Sequence, residues 1–138
     1  MKTLELSGRK QKLAYTFLSL LRIAIGWHFL YEGLTKVFDP SWTAAGFLQS
    51  STGPLSGMFQ AMGNSELVSI INVLNTWALI VIGLGLFLGL FTRVAQLAGM
   101  ILLFTFYISH PPVFTEPGFA REGAYFIISK DLVEILAL

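Results

Sequence analysis

The chain has 138 residues, of which 54% are hydrophobic and 12% charged, with a formal charge of +1. A soluble domain carries roughly a quarter charged residues, so the deficit points to lipid as the solvent. The small net charge argues against nucleic acid as a partner, which needs clustered Lys and Arg. The absence of cysteine removes disulfides, thiolate metal sites, iron–sulfur clusters and CxxC chemistry.

The N-terminus places Lys2, Arg9, Lys10 and Lys12 ahead of an apolar run from Leu13 to Phe38. That run is too long for a secretory leader and no small-residue cleavage site follows it, so a retained span is expected. A helix needs about 20 apolar residues to cross a bilayer core. Leu13–Phe38 and Leu67–Thr92 meet that length, whereas Val94–Ser109 is shorter and is stopped by Pro111 and Pro112. Ala124–Leu138 begins a fourth span without completing it, which leads us to expect that the natural chain continues. The predicted fold is an all-α, integral membrane four-helix bundle in one domain. Its spans lie at about 13–38, 67–92, 93–110 and 124–138.

The 39–66 connection carries start signals at Asp39-Pro40 and Pro54 with aromatic and Met residues at helical spacing. Two short interfacial helices over one mouth of the bundle are expected; an amphipathic loop resting on headgroups is the alternative. Basic residues before the first span and Arg93 between the second and third set the orientation. The 39–66 loop has none, and Arg121 in the 110–123 loop is offset by Glu116 and Glu122. The N-terminus is therefore expected in the cytoplasm, with both longer loops on the opposite side.

Helices in lipid associate through small residues that admit close backbone approach. Gly26 and Gly33 provide them on the first span, Gly83, Gly85 and Gly89 on the second, and Ala95 and Gly99 on the third. Gly85 and Gly89 form a GxxxG.

The segment WHFLYEGLTK sets ionisable groups inside the first span. With Arg22 at zero, His28, Glu32 and Lys36 fall near ~240°, ~280° and ~320° around the helix, and Gly26 and Gly33 lie within about 40° of Arg22. Leu20, Ile23, Trp27, Leu30 and Leu34 occupy the other half. The charges therefore face the bundle interior, where each costs at least ~2.5–3.5 kcal/mol unless paired, neutralised or hydrated. Counting inward from the outer ends, Glu32 matches Lys130 and His28 matches Glu134, one turn deeper. Asn72 and Asn75 fall in the same band, with His110 at the rim and Arg22 deeper. A polar cavity opening away from the cytoplasm is expected. An internal salt-bridge network that fixes helix register fits the same inventory.

A bis-His haem or a His–His–Glu metal site is disfavoured because His28 and His110 differ in depth by several turns. No metal site is expected, and no cofactor is evident. Trp42, Phe47, Phe59 and Phe114 fit an aromatic belt, or a port for a flat lipid-soluble ring.

The stretches LRIAIGWHFLYEGLTKVFDP and GLGLFLGLFTRVAQLAG, followed by KDLVEILAL, resemble the DoxX/DoxD family of small bacterial membrane proteins. Arg22, Gly26, Trp27, Glu32, Gly33, Lys36, Gly89 and Arg93 carry the likeness. The resemblance implies a four-helix protein of the bacterial inner membrane. DoxD-type members are the membrane subunit of a thiosulfate:quinone oxidoreductase, and others act in redox homeostasis beside soluble partners. On that basis the chain is expected to be a membrane subunit of a quinone-linked redox complex, with quinone as bound substrate. Glu32 and His28 would exchange protons, and Lys36, Lys130 or Arg22 would stabilise a reduced ring or a small anion. Asn72, Asn75, His110 and Glu134 would line the site. The other reading is a noncatalytic anchor, assembly partner or small transporter on the same bundle.

Overall fold

The computed structural model describes residues 2–111, 124–125 and 128–138, with side chains described for residues 8–111 and from 130 onward. Helix α1 runs Lys2–Phe38, and its Gly8–Phe38 portion is long and apolar enough to span a membrane. It stops where Asp39 precedes a proline, a position disfavoured from helical geometry. The Ser41 backbone N–H and hydroxyl both donate to Asp39 Oδ1, at 3.0 and 2.6 Å, and turn the chain back. The 39–66 connection then forms the two short helices expected of it, α2 (Ala45–Gln49) and α3 (Ser56–Gly63).

Helices α4 (Leu67–Leu88) and α5 (Thr92–Ser109) are the second and third spans. Their tight turn needs two left-handed residues, Gly89 at φ 74° and Phe91 at φ 47°. Glycine takes that conformation without strain, and Thr92 Oγ1 donating to the Gly89 carbonyl at 3.0 Å closes the turn.

The fourth helix begins later than expected. Ala124–Tyr125 (β1) and Ile128–Ser129 (β2) pair antiparallel, and helix α6 covers only Lys130–Ala137. The aromatic and β-branched residues before Lys130 favour the extended pairing. Helix α6 packs against α5 and α1. Phe114, Glu116, Arg121 and Glu122 lie outside the described residues.

Close packing of α1 on α4 follows from their glycines. A Cβ on Gly26 would lie 2.5 Å from the Phe87 backbone nitrogen, and one on Gly83 would lie 2.5 Å from that of Leu30. One on Gly33 would meet Ile80 Cγ1 at 2.7 Å. The Gly85–Gly89 spacing does not act as a helix-pairing stripe. Gly85 faces Ala95 of α5 while Gly89 caps α4. Leu20 and Trp27 are exposed as expected of a lipid face, but Leu30 lies against Gly83.

Ile25, Phe29, Leu79, Ile82, Leu86, Ala95 and Leu103 form the core, with Ile135 and Leu138 of the α6 end packed on it. A second cluster of Ala44, Leu48 and Phe59 seats the α2–α3 cap on Ile71 and Ile108. The cap also satisfies the otherwise orphaned end of α5. The Ser109 carbonyl accepts from Thr52 N–H and Gly53 N–H, both at 3.1 Å, and from the Ser51 hydroxyl at 2.7 Å. Gly53 is obligatory there, since any side chain would run into the Ile108 carbonyl.

Candidate functional site

Antiparallel packing of α6 along α1 brings the ionisable stripe of α1 against the acidic face of α6. His28 Nε2 lies 3.6 Å from Glu134 Oε1, with side chains 38% and 18% exposed. The second Glu134 oxygen, Oε2, is buried without a hydrogen-bond partner. One turn toward the cap, Lys36 Nζ donates to Glu32 Oε2 at 2.8 Å. Lys36 also lies 5.2 Å from the centre of the Trp42 ring, within cation–π range. Lys130 is exposed, and its charge reaches both Glu32 and Glu134.

The depth matching is therefore met for His28 with Glu134, while the direct partner of Glu32 is Lys36 rather than Lys130. Both groups sit at successive helical turns of α1, so their interaction needs no second helix. The site is a line of ionisable groups, His28–Glu134 then Glu32–Lys36, with Lys130 at its edge.

The remaining expected site residues separate from this line. Asn72 is a latch: its Oδ1 accepts the Ala44 N–H at 2.8 Å and its amide donates to Thr43 Oγ1 at 3.3 Å. His110 belongs to the cap, with Nε2 3.1 Å from Ser50 Oγ and its ring 4.4 Å from that of Phe47. Asn75 has a buried Oδ1 without a partner, on the stripe of α4 that continues through Leu79, Ile82 and Leu86.

Arg22 is placed at the other end of the bundle. Its guanidinium packs on Gly89, 3.2 Å from where a Cβ would stand, so it serves the C-terminal end of α4. Ten residues of helix separate it from Glu32, about 15 Å. The side chains of Phe29 and Leu86, 1% and 0% exposed, fill the space between.

A shallow groove of about 280 Å³ lies at the cap end of α1 and α4. Lys36, Asp39, Trp42, Asn72, Thr76 and Trp77 line it. Trp77, Thr76 and Asp39 carried no signal as site residues. The turn at Asp39–Ser41 that folds Trp42 back over Lys36 is a loop geometry, which helical periodicity does not encode. Among the described residues no group of three His, Asp or Glu side chains is placed to hold a metal ion.

No curated protein and no solved structure gives a significant match to the chain. The DoxX family model matches residues 17–111, from the membrane portion of α1 to the end of α5. Lys130 and Glu134 lie beyond the matched region, whereas Arg22, His28, Glu32 and Lys36 lie within it. Extending over more than half of the chain, that match makes it a member of the DoxX family.

Proposed function

We propose that the protein is the integral membrane subunit of a quinone-linked redox complex. In this reading it resides in the bacterial inner membrane with its N-terminus in the cytoplasm. The ionisable line of α1 and α6 then occupies the non-cytoplasmic half. The observation that carries the proposal is the His28–Glu134 pair at 3.6 Å, partly open to the outside and with one carboxylate oxygen unsatisfied. Intramembrane ionisable groups are costly and mark proton or substrate sites.

Reduction of a quinone to a quinol consumes two electrons and two protons. A partner subunit supplies the electrons. His28 and Glu134 pass the protons to the ring oxygens from the outer side, and Lys130 offsets charge as it develops. Glu32, already bonded to Lys36, acts by holding the line in place rather than by direct proton exchange. Arg22 has no part in it, because the Phe29–Leu86 layer stands between.

The same apolar layer speaks against a transporter, which needs a polar path reaching both faces. A noncatalytic anchor keeps some support from the Glu32–Lys36 pair, whose 2.8 Å bond is satisfied within one helix. Titration of the purified protein with a short-chain quinone, followed by tryptophan fluorescence, separates the two. The redox reading expects saturable binding that Glu134→Gln weakens and Trp27→Phe preserves. Absence of quinone binding, with a membrane protein co-purifying regardless of His28→Ala, overturns it in favour of the anchor.

A further inference from the structure

The groove at the cap end of α1 and α4 is separate from the His28–Glu134 pair and has its own chemistry. Its volume of about 280 Å³ falls just below the range that encloses a drug-sized ligand. It is open toward the apolar surface continued by Trp77, Val81, Leu84 and Leu88, all exposed. An occupant therefore needs only its polar end here, with the rest lying along α4 in lipid.

The charges select the kind of polar end. Lys36 is already neutralised by Glu32 at 2.8 Å and covered by Trp42. Asp39 makes no ion pair among the described residues, and its bonds to Ser41 use only Oδ1. The groove thus presents one uncompensated carboxylate beside two indoles, a combination that attracts a cation. Lys36 Nζ has three donors, one of them given to Glu32. It keeps a donor for an acceptor oxygen, as does the Thr76 hydroxyl on the same wall.

We infer that this groove is the headgroup site of a zwitterionic aminophospholipid, its ammonium held by Asp39 and the Trp42 and Trp77 indoles, its phosphate by Lys36 and Thr76. Lys36 in the last turn of α1 and Trp42 just beyond it stand where lysines and indoles meet phospholipid headgroups. The Asp39–Ser41 turn fixes the carboxylate there before any lipid arrives.

Native mass spectrometry of the full chain, released from nanodiscs of equal phosphatidylethanolamine and phosphatidylglycerol, tests this. One phosphatidylethanolamine is expected to remain bound in preference to phosphatidylglycerol. Asp39→Asn keeps the oxygen that accepts from Ser41 but removes the charge. It should reduce the preference by about 1.5- to fivefold, the range of one exposed charge contact. Trp77→Leu keeps apolar bulk and should reduce it by a smaller factor. Should Trp77→Leu fail to fold, Asp39→Asn decides alone. Equal retention of the two lipids, preference for phosphatidylglycerol, an unchanged Asp39→Asn variant, or a doubled mass with no lipid each overturns the assignment.

Discussion

His28 Nε2 and Glu134 Oε1 stand 3.6 Å apart, and this contact ties helix α6 to the first membrane span. The His28 side chain is 38% exposed, so the pair is worth less than a fully buried one, about 1 kcal/mol. Its removal should be non-additive. Glu134→Gln and His28→Ala are each expected to destabilise α6. The double variant should cost no more than the larger single change, because the second change has no partner left to lose. Unfolding of the three variants in mixed micelles checks this. A double variant equal to the sum of the singles would show that the two residues act apart.

The glycines of the α1–α4 seam should tolerate almost nothing. Gly83→Val places a side chain against the Leu30 backbone, where a Cβ alone already stands 2.5 Å away. A loss of at least ~1–3 kcal/mol is expected, the usual cost of overpacking. Gly57→Ala in α3, with nothing within 4 Å of its Cβ, is the contrast. It should stabilise by about 0.5–1 kcal/mol through helix propensity. Thermal melts of both variants measure the difference.

These contrasts show how far the sequence could be read. The first three spans, the two cap helices and the inward turn of His28 were legible, because hydropathy and the 3.6-residue period directly encode them. Partnerships were legible only where depth decides them, as with His28 and Glu134. Glu32 was matched to Lys130 by depth, but Lys36 one turn away wins because it lies on the same helix. Arg22 is read on the right face and deeper than the rest, but its partner is not legible. Its role depends on the left-handed turn at Gly89, which no periodicity reports. The hairpin before Lys130 was missed because a short apolar run fits strand and helix equally well.

The Glu32–Lys36 pair predicts the outcome of charge reversal. Exchanging the two residues, Glu32→Lys with Lys36→Glu, keeps opposite charges at successive turns and should restore most of what either single change loses. Exchanging Glu32 with Lys130 should restore little, since Lys130 makes no ion pair with Glu32 within 4.0 Å. Expression and micellar stability of the two exchanges rank them. Equal recovery would mean that Lys130 competes as a partner.

Asp39 sets a pH dependence at the cap. The two hydrogen bonds from Ser41 hold its carboxyl below the ordinary aspartate range. A group depressed on folding stabilises the folded state above its unfolded pKa and loses that contribution as pH falls through the folded one. The turn should therefore be unchanged from pH 8 down to 5 and loosen only in strong acid. Hydrogen exchange at Ser41 as a function of pH follows it, and Ser41→Ala should move the loosening upward.

Asn72 and Asn75 stand one turn apart on α4 and should respond in opposite senses. Asn72→Leu leaves the buried-side Ala44 N–H without its 2.8 Å acceptor and is expected to cost about 1–3 kcal/mol. Faster proteolysis of the 39–66 cap would accompany that loss. Asn75 already holds a buried, unsatisfied Oδ1, so Asn75→Leu removes a desolvated acceptor. It should leave stability unchanged or raise it by up to about 1–3 kcal/mol. If quinone binding or proton exchange falls in Asn75→Leu while its melting temperature rises, Asn75 belongs to the functional site. If both fall together, its amide is bonded through water, and its place on the core stripe is purely architectural.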